Sequence, residues 1–147
     1  MGIDVNLYAE GDVTDDELAA ANTYLIARCD IADEWDKTGS VLARVNHEWL
    51  PRPRIELKTM VRYYGACYER GPWPNIYGAI RLMQTALPQC RVFYGGDTSD
   101  EGIECTPEFL AELWEHFLGP HGDDYHESNR KLNEEYAQAP RTDRRTT

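Results

Sequence analysis

A chain of 147 residues, 41% of them hydrophobic, is long enough to build one core and to bury roughly two thirds of its unfolded surface without metals or disulfides. The formal charge of −11 argues against a constitutive nucleic-acid binder, which holds phosphate with surplus Lys and Arg. No apolar run has transmembrane length, and Asn6 breaks the N-terminal myristoylation pattern, so no membrane role is expected.

The charge is unevenly placed. Residues 1–40 hold ten acids and two bases, and 91–127 ten acids and one base, whereas 41–90 hold three acids and seven bases. Residues 128–147 hold three acids and five bases, so an acidic protein has a basic middle. Cys29, Cys67, Cys90 and Cys105 show no C-x-x-C spacing and follow no signal peptide, which implies reduced thiols in a cytoplasmic protein and no structural zinc.

Residues 3–9 alternate strictly, with Ile3, Val5, Leu7 and Ala9 on one face and Asp4, Asn6 and Tyr8 on the other, the period of a half-buried strand. Thr14 and Glu17 form a capping box, and Leu18, Ala21, Leu25 and Cys29 then recur at helical spacing, predicting a helix over about 15–28. Residues 30–40 read as a connection ending in Gly-Ser. Val41, Ala43, Val45, His47 and Trp49 predict the apolar face of a second strand, with His47 as a satisfied core histidine, until Pro51 and Pro53 remove ladder donors. Ile55, Leu57, Thr59 and Val61 predict a third strand, joined to the second as a hairpin.

Trp73, Ile76, Tyr77, Ile80, Met83 and Leu87 form a helical apolar stripe closed by Pro88. Cys90, Val92 and Tyr94 predict a fourth strand, halted by Gly95-Gly96. Thr106 as cap, Pro107 at the first helical position, and Phe109, Leu110, Leu113, Trp114 and Phe117 predict a third helix ended by Gly119-Pro120. Apolar residues then thin out to Tyr125, Leu132 and Tyr136, so residues 1–126 read as a single α+β domain. Residues 127–147 read as a polar, partly disordered C-terminal extension, at most a surface helix.

The order β-α-β-β-α-β, with an added C-terminal helix, predicts an α+β fold with the antiparallel sheet of the ferredoxin-like split βαβ arrangement. One face of that sheet is expected under helices, the other under the third helix or a second subunit, which admits a homo-oligomer. In that arrangement the connections 30–40, 62–72 and 95–105 converge at one end. They bring Arg62, Tyr63, Tyr64, Tyr68, Arg70 and Trp73 beside Gly95, Gly96 and Asp97. Aromatic faces and guanidinium forks suit a planar group with an anionic tail, as in a nucleotide-like ligand, or a protein surface. The structural alternative is that the tyrosines staple a long loop to the sheet, with Arg70 paired to Asp97 or Glu69.

Other constellations are weaker. Asp97, Ser99, Glu101, Gly102 and Glu108 match calcium-loop positions, but a strand rather than a helix precedes them. Asp97, Asp100, His121, Asp123 and His126 are of metal-ligand type, the basis of an alternative reading as a metal-dependent hydrolase or lyase. His116, His121 and His126 stand five apart, a turn of about 140° net on a helix, so they share no helical side. Cys67 has Arg62 and Arg70 near in sequence but no histidine base. Arg52 and Arg54 flank Pro53 where an acidic partner would meet them, although charged edges also deter strand pairing. The acidic blocks 10–17, 30–36 and 97–108 allow a third reading, mimicry of nucleic acid. No P-loop, G-x-S-x-G, H-E-x-x-H or G-x-G-x-x-G occurs, so a non-catalytic binding role without a cofactor ranks above an enzymatic one.

At Tyr63-Tyr-Gly, Tyr68-Glu-Arg-Gly-Pro-Trp-Pro-Asn-Ile-Tyr77, Tyr94-Gly-Gly-Asp97 and Gly119-Pro-His-Gly-Asp-Asp-Tyr-His126 the chain resembles a family of small uncharacterised bacteriophage and prophage proteins. The resemblance spans roughly residues 1–126 and brings no activity to any residue. It implies an accessory protein of the bacterial host cytoplasm, one that counters a host process.

Overall fold

The structure is a computed structural model that describes residues 4–29, 41–46, 48, 53–57, 61–62, 76–96, 99–115 and 123–139. The fold is α+β. β1 (Asp4–Glu10) leads through Gly11 to α1 (Asp15–Cys29). The capping box is formed: the Thr14 N–H donates to Glu17 Oε1 at 2.9 Å, and the Glu17 N–H to Thr14 Oγ1 at 3.1 Å. β2 (Leu42–Val45), β3 (Arg54–Leu57) and β4 (Val61–Arg62) precede α2 (Ile76–Ala86). β5 (Arg91–Gly96), β6 (Ser99–Glu104), α3 (Pro107–Leu113) and α4 (Asp123–Gln138) follow.

Every strand pairing is antiparallel, and the path across the sheet is β2-β3-β1-β5-β6, with β4 also on β1. β5 occupies one edge of β1 from Val5 to Glu10, so β3 and β4 share the other edge. Their registers, Ala9 with Ile55 and Val5 with Val61, differ by two residues. The expected third strand therefore meets β1 in two registers rather than one. β6 lies beyond β5, where a simple split βαβ would end.

Four corrections to the sequence pattern follow from this register. The core side of β2 is the one bearing Leu42, which faces Leu57, and not the side bearing Ala43 and Val45. Strand period two lets register, rather than apolar count, choose the face. His47 and Trp49 lie outside the described residues, and β2 ends at Val45. The fourth strand ends at Gly95-Gly96 as expected, but the two glycines are its last residues and not a stop beyond it, paired opposite Asn6 and Val5. The stretch expected as an acidic loop is largely the edge strand β6, whose Ser-Asp-Glu-Gly-Ile-Glu sequence has almost no β propensity to announce it. Finally, α3 joins the same face as the other helices, its Phe109 ring 5.5 Å from that of Tyr94, and does not cover the opposite face.

The core lies between the sheet and the helices. Leu7, Ala9, Ile55, Leu57, Val92 and Tyr94 meet Ala21 and Leu25 of α1, Tyr77, Ile80 and Met83 of α2, and Leu110 and Leu113 of α3. The cap of α3 is as expected, with the Phe109 N–H donating to Thr106 Oγ1 at 3.1 Å and Pro107 at the first position. The polar segment after 126 is, through Gln138, the continuation of α4, and this helix docks. Its Asn129 is fully buried, Asn133 Oδ1 accepts from the Tyr77 hydroxyl at 3.1 Å, and Glu135 accepts from the Tyr24 hydroxyl at 2.6 Å. Polar contacts replace the missing apolar stripe, which is why apolar periodicity understated this helix. No helix among the described residues is long and apolar enough to cross a membrane.

One side chain sews α1 to β2. Asn22 Oδ1 accepts from the N–H groups of Val41 at 2.7 Å and Leu42 at 2.8 Å, and its Nδ2 donates to the Leu42 carbonyl at 3.3 Å and the Leu18 carbonyl at 3.2 Å. Val41 and Leu42 are each 1% exposed, so their N–H groups have no water to turn to. Asn22→Ala is expected to destabilise the protein by about 2 kcal/mol or more, read as a lowered urea midpoint at unchanged m-value.

Candidate functional site

The sheet face without helices among the described residues carries the even-numbered residues of β1. Registers place Arg62 opposite Asp4, Gly95 opposite Asn6, Glu56 and Phe93 opposite Tyr8, and Arg91 opposite Glu10. At the Asp4 end of β1, Val5 pairs with Val61 on one edge and Gly96 on the other. The chain therefore leaves β4 after Arg62, and β5 after Gly96, at the same end of the sheet. Of the sequence-predicted residues, Arg62, Gly95 and Gly96 are placed there by register. Tyr63, Tyr64, Tyr68, Arg70, Trp73 and Asp97 lie outside the described residues.

The candidate metal ligands do not form a described group. Asp97 and His121 lie outside the described residues, Asp100 belongs to β6, and Asp123 and His126 stand in the first turns of α4. Among the described residues no three His, Cys, Asp or Glu side chains are grouped to hold a metal ion. Of the calcium-loop pattern and its surroundings, Glu104 pairs with Phe93 in the β5-β6 ladder, Gly102 lies in β6 where the register shifts between Tyr94 and Gly96, and Glu108 stands in the first turn of α3.

Along this face runs an arginine-aromatic row that sequence reasoning did not assemble. The rings of Tyr8 and Phe93 stack with centroids 5.2 Å apart and planes 10° from parallel. The Arg54 guanidinium sits 4.1 Å from the Tyr8 ring centre, and that of Arg91 5.3 Å from the Phe93 ring centre. Each arginine has its own carboxylate at 2.6 Å, Glu56 for Arg54 and Glu104 for Arg91. The signal was present in the strands as Arg54-x-Glu56, Arg91-x-Phe93 and Gly102-x-Glu104, alternate positions on the polar face, but only the register makes neighbours of them.

Two glycines make room for this row. The Tyr8 ring reaches over β5, where Gly95 would hold a Cβ 3.7 Å from it, toward Gly102 of β6, where a Cβ would overlap the Tyr8 hydroxyl. Gly95 thus has a packing role, seating an aromatic ring, beside any part in binding. Burial raises the Tyr8 hydroxyl above its ordinary pKa, opposed by the nearby Arg54 charge and the Gly102 backbone N–H. The hydrogen bond from Arg91 holds the Glu104 carboxyl below its usual range. The pair is 48% and 38% exposed, so solvent screens it and its contribution to stability is small.

Two thiols, Cys90 and Cys105, sit where burial disfavours the nucleophilic thiolate. Cys90 and Cys105 are buried, and burial, with help from Glu104, pushes the Cys105 thiol up to about 12. Compared with protein-family models, curated proteins and solved structures, the chain matches none.

Gly102→Ala is expected to destabilise the fold by about 1–3 kcal/mol by displacing the Tyr8 ring. In a Tyr8→Ala background the same change is expected to cost at least about 1 kcal/mol less, a coupling that a double-mutant denaturation cycle measures. Iodoacetamide at neutral pH is expected to leave Cys90 and Cys105 unmodified in the native protein and to alkylate both in denaturant, as read by peptide mass spectrometry.

Proposed function

We propose that this is a non-catalytic binding protein that holds an anionic, nucleotide-like small molecule, or an acidic protein surface, at the sheet end where β4 and β5 leave β1. The observation that carries the reading is the shared pairing of Val5 with Val61 and Gly96. It brings the starts of the arginine- and tyrosine-rich segment 62–73 and of the Gly95–Glu101 hairpin to either side of one strand end. By residue type, Arg62, Arg70, Tyr63, Tyr64, Tyr68 and Trp73 of the first segment offer cationic forks and stacking faces, and Gly96 and Asp97 belong to the second.

The finer fold reading is a split βαβ of ferredoxin-like type with one added edge strand. Two features support it: β1 and β2, joined through α1, flank β3, and the β3-β4 strand and β5, joined through α2, flank β1. The phage-like wording of the loop segments supports an accessory role in a bacterial cytoplasm.

Thermal-shift screening against nucleotides and phosphorylated metabolites tests the proposal. A ligand present at about a hundred times its Kd is expected to add about 2.7 kcal/mol of stability, and Arg62→Ala or Arg70→Ala to abolish that gain. No stabilisation by any anion shifts the reading to the protein partner, whose complex should weaken steeply with added salt. A ligand whose binding survives both arginine substitutions overturns the assignment.

A further inference from the structure

A cavity of about 320 Å³ opens between α2, α3, α4 and the paired ends of β5 and β6. It lies near Arg91, the β5 residue opposite Glu10, and hence at the other end of the sheet from Val5 and Gly96. Its volume is at the small end of the range for ligand pockets, about 300–1,000 Å³.

One charge on its wall is unlike the others. Arg81 of α2 is half-buried, yet among the described residues no carboxylate lies within ion-pair distance of it, whereas Arg54 and Arg91 each hold one at 2.6 Å. Its partners are neutral. The Nε–H donates to Asn133 Oδ1 at 2.7 Å, Nη1 donates to Gln84 Oε1 at 2.9 Å, and the Tyr136 ring centre lies 4.3 Å from the guanidinium. Those partners are themselves held, Gln84 by donating to the Cys105 carbonyl at 3.0 Å and Asn133 by the Tyr77 hydroxyl. The network orients the guanidinium without neutralising it and gives Nη2 no partner among the described residues. A partly desolvated, oriented cation whose charge is left uncompensated favours an incoming anion, and a guanidinium matches the two oxygens of a carboxylate. The rest of the lining is mixed: Val92, Pro107 and Leu110 are its apolar members, the first and last only 2% exposed, and Cys90, Cys105, Thr106 and the Arg91–Glu104 ion pair complete it.

We propose that this cavity is a second binding site, independent of the one above, that takes a compact organic monocarboxylate with its carboxylate on Arg81 and its apolar body against Val92, Pro107 and Leu110. Phenylacetate is a suitable probe, titrated into the full chain while backbone amide NMR shifts of Gln84, Cys105 and Thr106 are followed. Saturation with a Kd of about 1 mM or tighter is expected. Phenylacetamide, of the same shape without the charge, is expected to bind about tenfold more weakly or worse, and so is phenylacetate to Arg81→Gln. Leu110→Phe, which narrows the apolar wall and keeps Arg81, is expected to weaken phenylacetate binding as well, and it decides the matter should Arg81→Gln fail to fold. Arg62→Ala is expected to leave the titration unchanged, which separates this site from the one at the opposite end. The proposal is overturned by an absence of saturable shifts up to about 10 mM phenylacetate. Equal binding of the amide, equal binding of inorganic phosphate, or loss of binding in Arg62→Ala alone would overturn it too.

Discussion

The architecture depends on the two-sided pairing of β1. This strand receives β5 from Val5 to Glu10 on one edge and β3 and β4 on the other, so its alternation sets the direction of the side chains around it. Leu7 and Ala9 go under the helices, almost free of solvent, and Tyr8 between them goes to the opposite face. A slip of one residue would bury Tyr8 and Glu10 against Leu25 and Ile80 and send Leu7 to the other side. The hydrophobic penalty for that exchange, several buried side chains at about 1.5–3 kcal/mol each, is what holds the register.

From that register the two halves of the molecule acquire different chemistry. The helix side is an apolar core closed by polar seams, Asn22 between α1 and β2, and Asn133 with Tyr77 and Arg81 between α2 and α4. The other side carries a row of stacked rings in which Arg54 and Arg91 each already hold a carboxylate. Self-neutralised charge of this kind favours a settled surface over a hungry one, because an incoming anion would have to displace a carboxylate already at 2.6 Å. Arg81 differs in this respect, and that difference, rather than the number of arginines nearby, separates a structural cation from a recognition cation.

Much of the helical skeleton was legible along the chain. The Thr14-Glu17 capping box, the Thr106-Pro107 start of α3 and the Tyr77, Ile80, Met83, Leu87 stripe are local signals, carried by side chains within four residues of one another, and all three appear in place. The strands were legible where apolar alternation agreed with burial, as in Leu7-x-Ala9 and Val92-x-Tyr94. They were misread where both faces looked apolar, as in β2, and where the strand is acidic and glycine-bearing, as in β6. Helix α4 docks through Asn129, Asn133 and Glu135, for which apolar periodicity has no symbol.

The sequence by itself determined the class of the fold, the starts of α1 and α3, and the acidic surroundings of a basic middle, because caps, periodicity and charge are properties of neighbouring residues. Only the tertiary structure decided which residues meet: Arg54 with Tyr8, Gly102 beneath the Tyr8 hydroxyl, and Arg81 with Asn133 fifty-two positions away. Those meetings are set by strand register and helix docking, long-range balances of burial against desolvation that no local stretch of chain contains.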